Sequence, residues 1–220
     1  MLANYKEKLN EIRSELKNVL NGLVVSNELI LESLKKCDIE KFEEAKQTIN
    51  NSSQKTSAID HDIITTLALH QPEARDLRTM VSYLKITNEL LRATSNTRSY
   101  IKGFQVTCQE VDIKAINEYA IPMQKATIDA LKNTYEMIDC DCDDEAKDIF
   151  NIVLIAENKT DDLYEMMEQN ILKDIKDVED YAAYKDMLSV LRKSEKIADR
   201  AMSIASLLLF ARVGGDIHQS

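Results

Sequence analysis

The segment MLSVLRKSEKIADRAMSIASLLLFARVGG, Met187 to Gly215, decides the fold. Its apolar residues Met187, Leu191, Ala198, Ala201, Ala205 and Leu208 recur at helical spacing rather than alternating as a strand would. Gly214 and Gly215 stand where a helix C-terminus is expected, so the last helix is predicted to end near Arg212. The rest of the chain reads the same way. Lys35 and Lys36 suit the end of a first helix over about 2–36, and Asp38 suits the N-cap of a second over about 39–70. A third is predicted to start with Pro72 just inside its first turn and to end near Gly103. A fourth follows over about 110–137 with a bend at Pro122, then an acidic turn from Asp139 to Asp144, a fifth helix to about Leu172 and the last.

Composition agrees. Four Gly and two Pro in 220 residues compare with roughly 26 at average usage, which argues against β-rich and loop-rich folds. A hydrophobic content of 44% with 30% charged residues is enough to bury a core. Short joints make neighbouring helices antiparallel, and the expected fold is all-α: two tandem antiparallel three-helix bundles. A shift of 104 residues places Lys55-Thr56 on Lys159-Thr160 and 88–97 on 192–201, which supports an internal duplication. The expected division is a first bundle over 1–104, a second over 105–214 and a flexible tail over 215–220.

Twenty-eight basic against 38 acidic residues give a net charge of −10, which disfavours nucleic acid and anionic membrane as partners and favours cations and basic protein surfaces. The excess is one-sided: residues 1–104 hold 15 basic and 14 acidic residues, and residues 105–220 hold 13 and 24. Cys37, Cys108, Cys140 and Cys142 are too few for a disulfide scaffold, and no signal segment opens the chain, so a cytoplasmic location is expected. Cys140-Asp141-Cys142 reads as a turn with two incidental thiols, since no second Cys/His pair lies nearby. The apolar run over 205–211 is too short to span a bilayer.

Two carboxylate pairs carry the chemistry. Glu157 and Asp161 in the fifth helix, and Glu195 and Asp199 in the sixth, are each four residues apart and flank the apolar stripe. On antiparallel neighbours the pairs can converge into four carboxylates, which is unfavourable unless a cation neutralises them or some are protonated. Oxygen-only ligation points to hard or intermediate ions such as Mg²⁺, Mn²⁺, Ca²⁺ or iron. Acidic pairs on helices are also common on merely solvated faces. His61 and His70 lie too far apart to chelate together, and His218 falls near the end of the chain. Arg75, Asp76 and Arg78 read as a helix start whose arginines pair with neighbouring helices.

His70-Gln71-Pro72-Glu73-Ala74-Arg75-Asp76-Leu77-Arg78 resembles the Q-P-x-A-x-D-L-R signature of the PhoU family of phosphate-regulation proteins. Glu195-Lys196-Ile197-Ala198-Asp199 resembles that family's E-R-I-G-D motif, and Lys36-Cys37-Asp38-Ile39-Glu40 its G-D connector. The resemblance covers about Tyr5 to Gly214. It implies metal binding at the repeated E/D-xxx-D motifs, with a divalent or iron-type ion (Mg, Mn, Fe or Zn). This chain departs from the pattern in its first half, where Ser53, Ser57, Leu91 and Ser95 take the four ligand positions. One retained metal site, made by Glu157, Asp161, Glu195 and Asp199, is therefore expected. Ser203 stands where the family has an Asn beyond its second motif.

The function this resemblance implies is a cytoplasmic regulator of phosphate transport and phosphate-dependent signalling. Its partners would be a phosphate transporter and a sensor histidine kinase, with no enzymatic activity, no membrane insertion and self-association left open. A metal-free helical scaffold is the alternative. A carboxylate-bridged di-metal oxidoreductase is weaker, because such sites use Glu-x-x-His pairs and no His lies in the second repeat's helices.

Overall fold

The structure is a computed structural model that describes residues 2–107, 116–174 and 178–215. Among them it is helical throughout: α1 (Leu2–Lys36), α2 (Ile39–Thr48), α3 (Ser52–His70), α4 (Ala74–Thr107), a π-helical turn (Ile116–Ala120) running into α5 (Ile121–Met137), α6 (Asp143–Asp174) and α7 (Val178–Val213). Cys37 adopts φ 52°, the left-handed conformation that closes a helix, and is disulfide-bonded, which a wholly reducing compartment does not predict. Asp38 then caps α2 by accepting from the Lys41 N–H at 3.2 Å.

The predicted second helix is two. It breaks at Ile49, Asn50 and Asn51, a stretch with two Asn, a residue of low helix propensity. The carbonyls freed at the break are not left bare: Arg98 of α4 donates through Nη2 to Ile49 O at 2.9 Å and Asn50 O at 3.0 Å, and Ser52 Oγ donates to Ile49 O. Pro72 lies outside the third predicted helix rather than inside it. Gln71 at φ 44° ends α3, and α4 begins only at Ala74. Pro122 does fall within the first turn of α5, next to the change from π to α geometry, while the start of that predicted helix near Glu110 lies outside the described residues.

Gly103 does not end a helix. It sits inside α4 where α4 crosses α7, and a Cβ added there would stand 2.4 Å from Val190 Cγ2. Gly103→Ala is therefore expected to destabilise the fold by about 1–2 kcal/mol, an overpacking cost that exceeds the helix-propensity gain. Adding Val190→Ala should recover part of that loss, as a double-mutant cycle in denaturant would measure.

Within each half, α1 packs with α2, α3 and α4, and α5, α6 and α7 pack mutually. The halves then join lengthwise, α4 on α7 and α1 on α5, with α4–α7 the most extensive helix pair. One apolar cluster crosses this joint, from Leu16, Leu20 and Leu90 to Leu131, Ile197 and Ile204. A buried polar seam lies in the same joint. Gln124 Nε2 donates to Asn27 O and Oδ1 at 2.9 Å, and Ser194 meets both Thr127 and Gln124. No helix among the described residues is long and apolar enough to cross a membrane.

Candidate metal centre

Glu157 and Asp161 sit on α6, and Glu195 and Asp199 on α7, which packs directly against it. Their helices are fixed by fully buried residues on the same turns: Val153 and Thr160 on α6, and Ser194, Ile197 and Ala198 on α7. Thr160 is buried because its hydroxyl is satisfied locally, donating to Glu157 O at 2.8 Å. One carboxylate oxygen each from Glu157, Asp161 and Asp199 lies within 4.8 Å of the others. The two helices thus bring three of the four predicted residues together.

The fourth, Glu195, stands one turn before Asp199 and is only 6% exposed. Its Oε2 lies 2.8 Å from Arg192 Nε, but no hydrogen bond forms there, so the pair is held by charge alone and that oxygen is left buried without a donor. Arg192 also stacks over the Tyr164 ring at 4.9 Å. Burial and the Asp199 charge push the Glu195 carboxyl up to about 7 against the opposing pull of Arg192. Burial, then the charges of Asp161 and Asp199, raise Glu157; burial, then Asp199, raise Asp161.

Two guanidiniums partly offset this charge. Arg200 reaches Asp199 Oδ2 at 3.6 Å and bonds Glu89 of α4 at 2.9 Å, tying the cluster to the first half. Four carboxylates against Arg192 and Arg200 leave two negative charges, and including Asp162 and Lys196, whose charges also reach the cluster, does not change that balance. All donors are carboxylate oxygens, the set a hard divalent cation takes.

The other predicted positions fare differently. Ser53, Ser57 and Ser95 are exposed and Leu91 is half-buried, and among the described residues no other group of three His, Cys, Asp or Glu side chains converges. Ser203 donates to Asp199 O at 2.9 Å, so its hydroxyl is engaged with its own helix. Cys140 is a buried free thiol whose Sγ contacts Cys142 O, and Cys142 is exposed. His70 packs edge-on against Tyr5, His61 is exposed, and Cys108 and His218 lie outside the described residues. Sequence reasoning missed Arg192 and Arg200. The signal was present in Arg192, three residues before Glu195 and so on its face of the helix.

A family model described as the PhoU domain matches residues 16–100. Over 94% of the chain and 93% of its own length, the phosphate-specific transport system accessory protein PhoU homolog 1 of Methanothermobacter thermautotrophicus is 21% identical. The crystal structure of PhoU from Pseudomonas aeruginosa superposes with a TM-score of 0.80 at 17% identity, covering 96% of this chain and all of that one. Residues 16–100 match the PhoU domain, and the whole chain shares the fold of PhoU. The phosphate transport system regulatory protein PhoU from Streptococcus pneumoniae gives the same TM-score at 19% identity, over 96% of this chain and 98% of that one. The PhoU-domain match falls on the first half and contains the 70–78 segment, so it and the acidic cluster of the second half are independent observations.

Proposed function

We propose that this chain is a cytoplasmic accessory regulator of phosphate transport, acting by contact with a phosphate transporter and a sensor histidine kinase, with one divalent or iron-type cation held between α6 and α7. The observation that carries the metal is the convergence of Glu157, Asp161 and Asp199 within 4.8 Å, with two uncompensated negative charges. The regulatory part is supported by similarity along nearly the whole length of a relative named as an accessory protein of a phosphate-specific transport system. Glu157, Asp161 and Asp199 would hold the ion, with Glu195 beside them. The ion would neutralise the cluster and pin α6 to α7, fixing the surface those helices present.

Elemental analysis tests the site. Protein stripped with chelator and dialysed against Mn²⁺, Mg²⁺, iron or Zn²⁺ is expected to retain about one equivalent of at least one of them. Asp161→Ala with Asp199→Ala should reduce this to background while circular dichroism keeps its helical signal. Wild type retaining no more than the double variant would remove the metal. For the regulatory role, deleting the gene should disturb phosphate uptake or the phosphate-starvation response. An unchanged response, with neither transporter nor kinase recovered alongside the protein, would favour a metal-free helical scaffold.

A further inference from the structure

A cavity of about 490 Å³ opens at the end of the bundle where the first turns of α4 meet the last turns of α5 and α7, with α1 along its side. Measured along α7, its residue Arg212 is roughly 20 Å from Asp199, so the cavity is separate from the carboxylate cluster. Arginines from three helices line it: Arg13 of α1, Arg75 of α4 and Arg212 of α7. Two carboxylates, Asp76 and Asp141, line it as well, so guanidiniums outnumber carboxylates by one among the lining residues of a chain of net charge −10.

The three guanidiniums are only loosely committed. Arg13 donates through Nε to Tyr83 Oη at 3.3 Å. Arg212 reaches Asp141 and Asp143 at 3.5 Å, and the Asp141 side chain is 92% exposed, so solvent competes for that pair. The Arg75 guanidinium has no hydrogen-bond or ion-pair partner among the described residues, although its carbonyl accepts from Thr79 Oγ1. Arg78, one turn on, is by contrast fully used: it donates to Ala211 O at 3.2 Å and Arg212 O at 3.4 Å and so fixes the end of α7 against α4. The start of α4 adds the positive end of its dipole to the same mouth. Leu9, Ile138, Leu208 and the ring of Tyr83 supply an apolar wall.

We propose that this cavity binds a small organic phosphate of mononucleotide size, with its phosphate groups on Arg13, Arg75 and Arg212 and its organic body against the apolar wall. Three guanidiniums on three helices need several acceptor oxygens and more than one negative charge, which a di- or triphosphate supplies and a single carboxylate does not. Tyr83 Oη accepts from Arg13 and keeps its own hydrogen for a ligand oxygen. The volume falls in the range of organic-ligand sites, whereas inorganic phosphate would leave most of it unfilled.

Calorimetric titration of the full chain tests this with ATP, ADP and orthophosphate as probes, in EDTA and at fixed ionic strength so that the acidic cluster plays no part. Saturable one-site binding of ATP or ADP is expected, with orthophosphate at least about tenfold weaker and Arg75→Gln reducing nucleotide affinity about tenfold. Arg75 is exposed and unpaired, so that variant should fold, and Arg13→Gln gives a second reading of the same loss. The proposal is overturned by any one of three results: neither nucleotide saturates at millimolar concentration, orthophosphate binds as tightly as ATP, or both variants leave the nucleotide Kd within twofold of wild type.

Discussion

Asp199→Asn is expected to weaken Mn²⁺ binding at least about hundredfold, and Glu195→Gln about tenfold or less. Both residues belong to one E-xxx-D motif, and spacing alone makes them equal partners. The structure separates them. Asp199 offers an oxygen within 4.8 Å of oxygens from both Glu157 and Asp161, and it receives only a long contact, 3.6 Å, from Arg200. Glu195 is turned toward Arg192 at 2.8 Å and stands outside that triad. Losing Asp199 removes a converging charge that nothing else replaces, whereas losing Glu195 removes a carboxylate that lies outside the triad. Competition titration against a chelator of known affinity measures both. Equal losses for the two variants would show that Glu195 ligates on the same footing, and the three-carboxylate site would have to be abandoned for a four-carboxylate one.

This separation marks where the sequence stops being informative. Helix content, the α1–α2 joint with Asp38 as cap, the acidic turn before α6 and the end of α7 all follow from local signals, namely cap residues, breakers and 3.6-residue periodicity. The elements misread are those decided by packing at long range. The 49–51 break is stabilised by Arg98, roughly fifty residues away, and Gly103 is a crossing point whose partner is Val190. The four carboxylates were legible because i, i+4 spacing and the stripe fix a face. Their rotamers were not, because these depend on Arg192, on Tyr164 beneath it and on Glu89, which draws Arg200 toward the first half. The cavity at the end of the bundle was beyond reach for the same reason, since its arginines come from α1, α4 and α7 and no sequence window contains two of those helices.

The charge asymmetry between halves also takes a more local form. Among the described residues of the second half, acidity is spread along exposed helix faces, where it costs little, except at one place where Glu195 is buried and Glu157 and Asp199 are partly so. The first half, with serines and Leu91 at the matching positions, carries no such burden. Among the described residues, carboxylates converge in one bundle only, so a proton or a cation has a charge to relieve there and not in the first half.

The metal-free protein should therefore lose stability as pH rises from about 4.5 through about 7. Glu195 has a folded-state value of about 7 against an ordinary glutamate value of 4.5, so the folded state holds this proton more tightly than the unfolded chain. A group raised in this way contributes stability that is complete below the unfolded value and is lost as pH climbs through the folded one. The shift corresponds to about 3 kcal/mol, and the upward displacement of Glu157 and Asp161 acts in the same direction. Ion-paired carboxylates elsewhere, such as Glu32 with Lys41, oppose it by gaining stability as they ionise, so the whole-protein curve mixes both signs. Glu195→Gln isolates the effect: denaturant midpoints for wild type and variant, both in EDTA, should agree at pH 4 and diverge steadily to pH 8, with the variant the more stable. Saturating Mn²⁺ should then raise wild type most at high pH, because the ion supplies the positive charge that the proton supplied at low pH. A difference between wild type and Glu195→Gln that stays flat from pH 4 to pH 8 would mean that Glu195 is already neutralised by Arg192, and the case for an uncompensated cluster would fall with it.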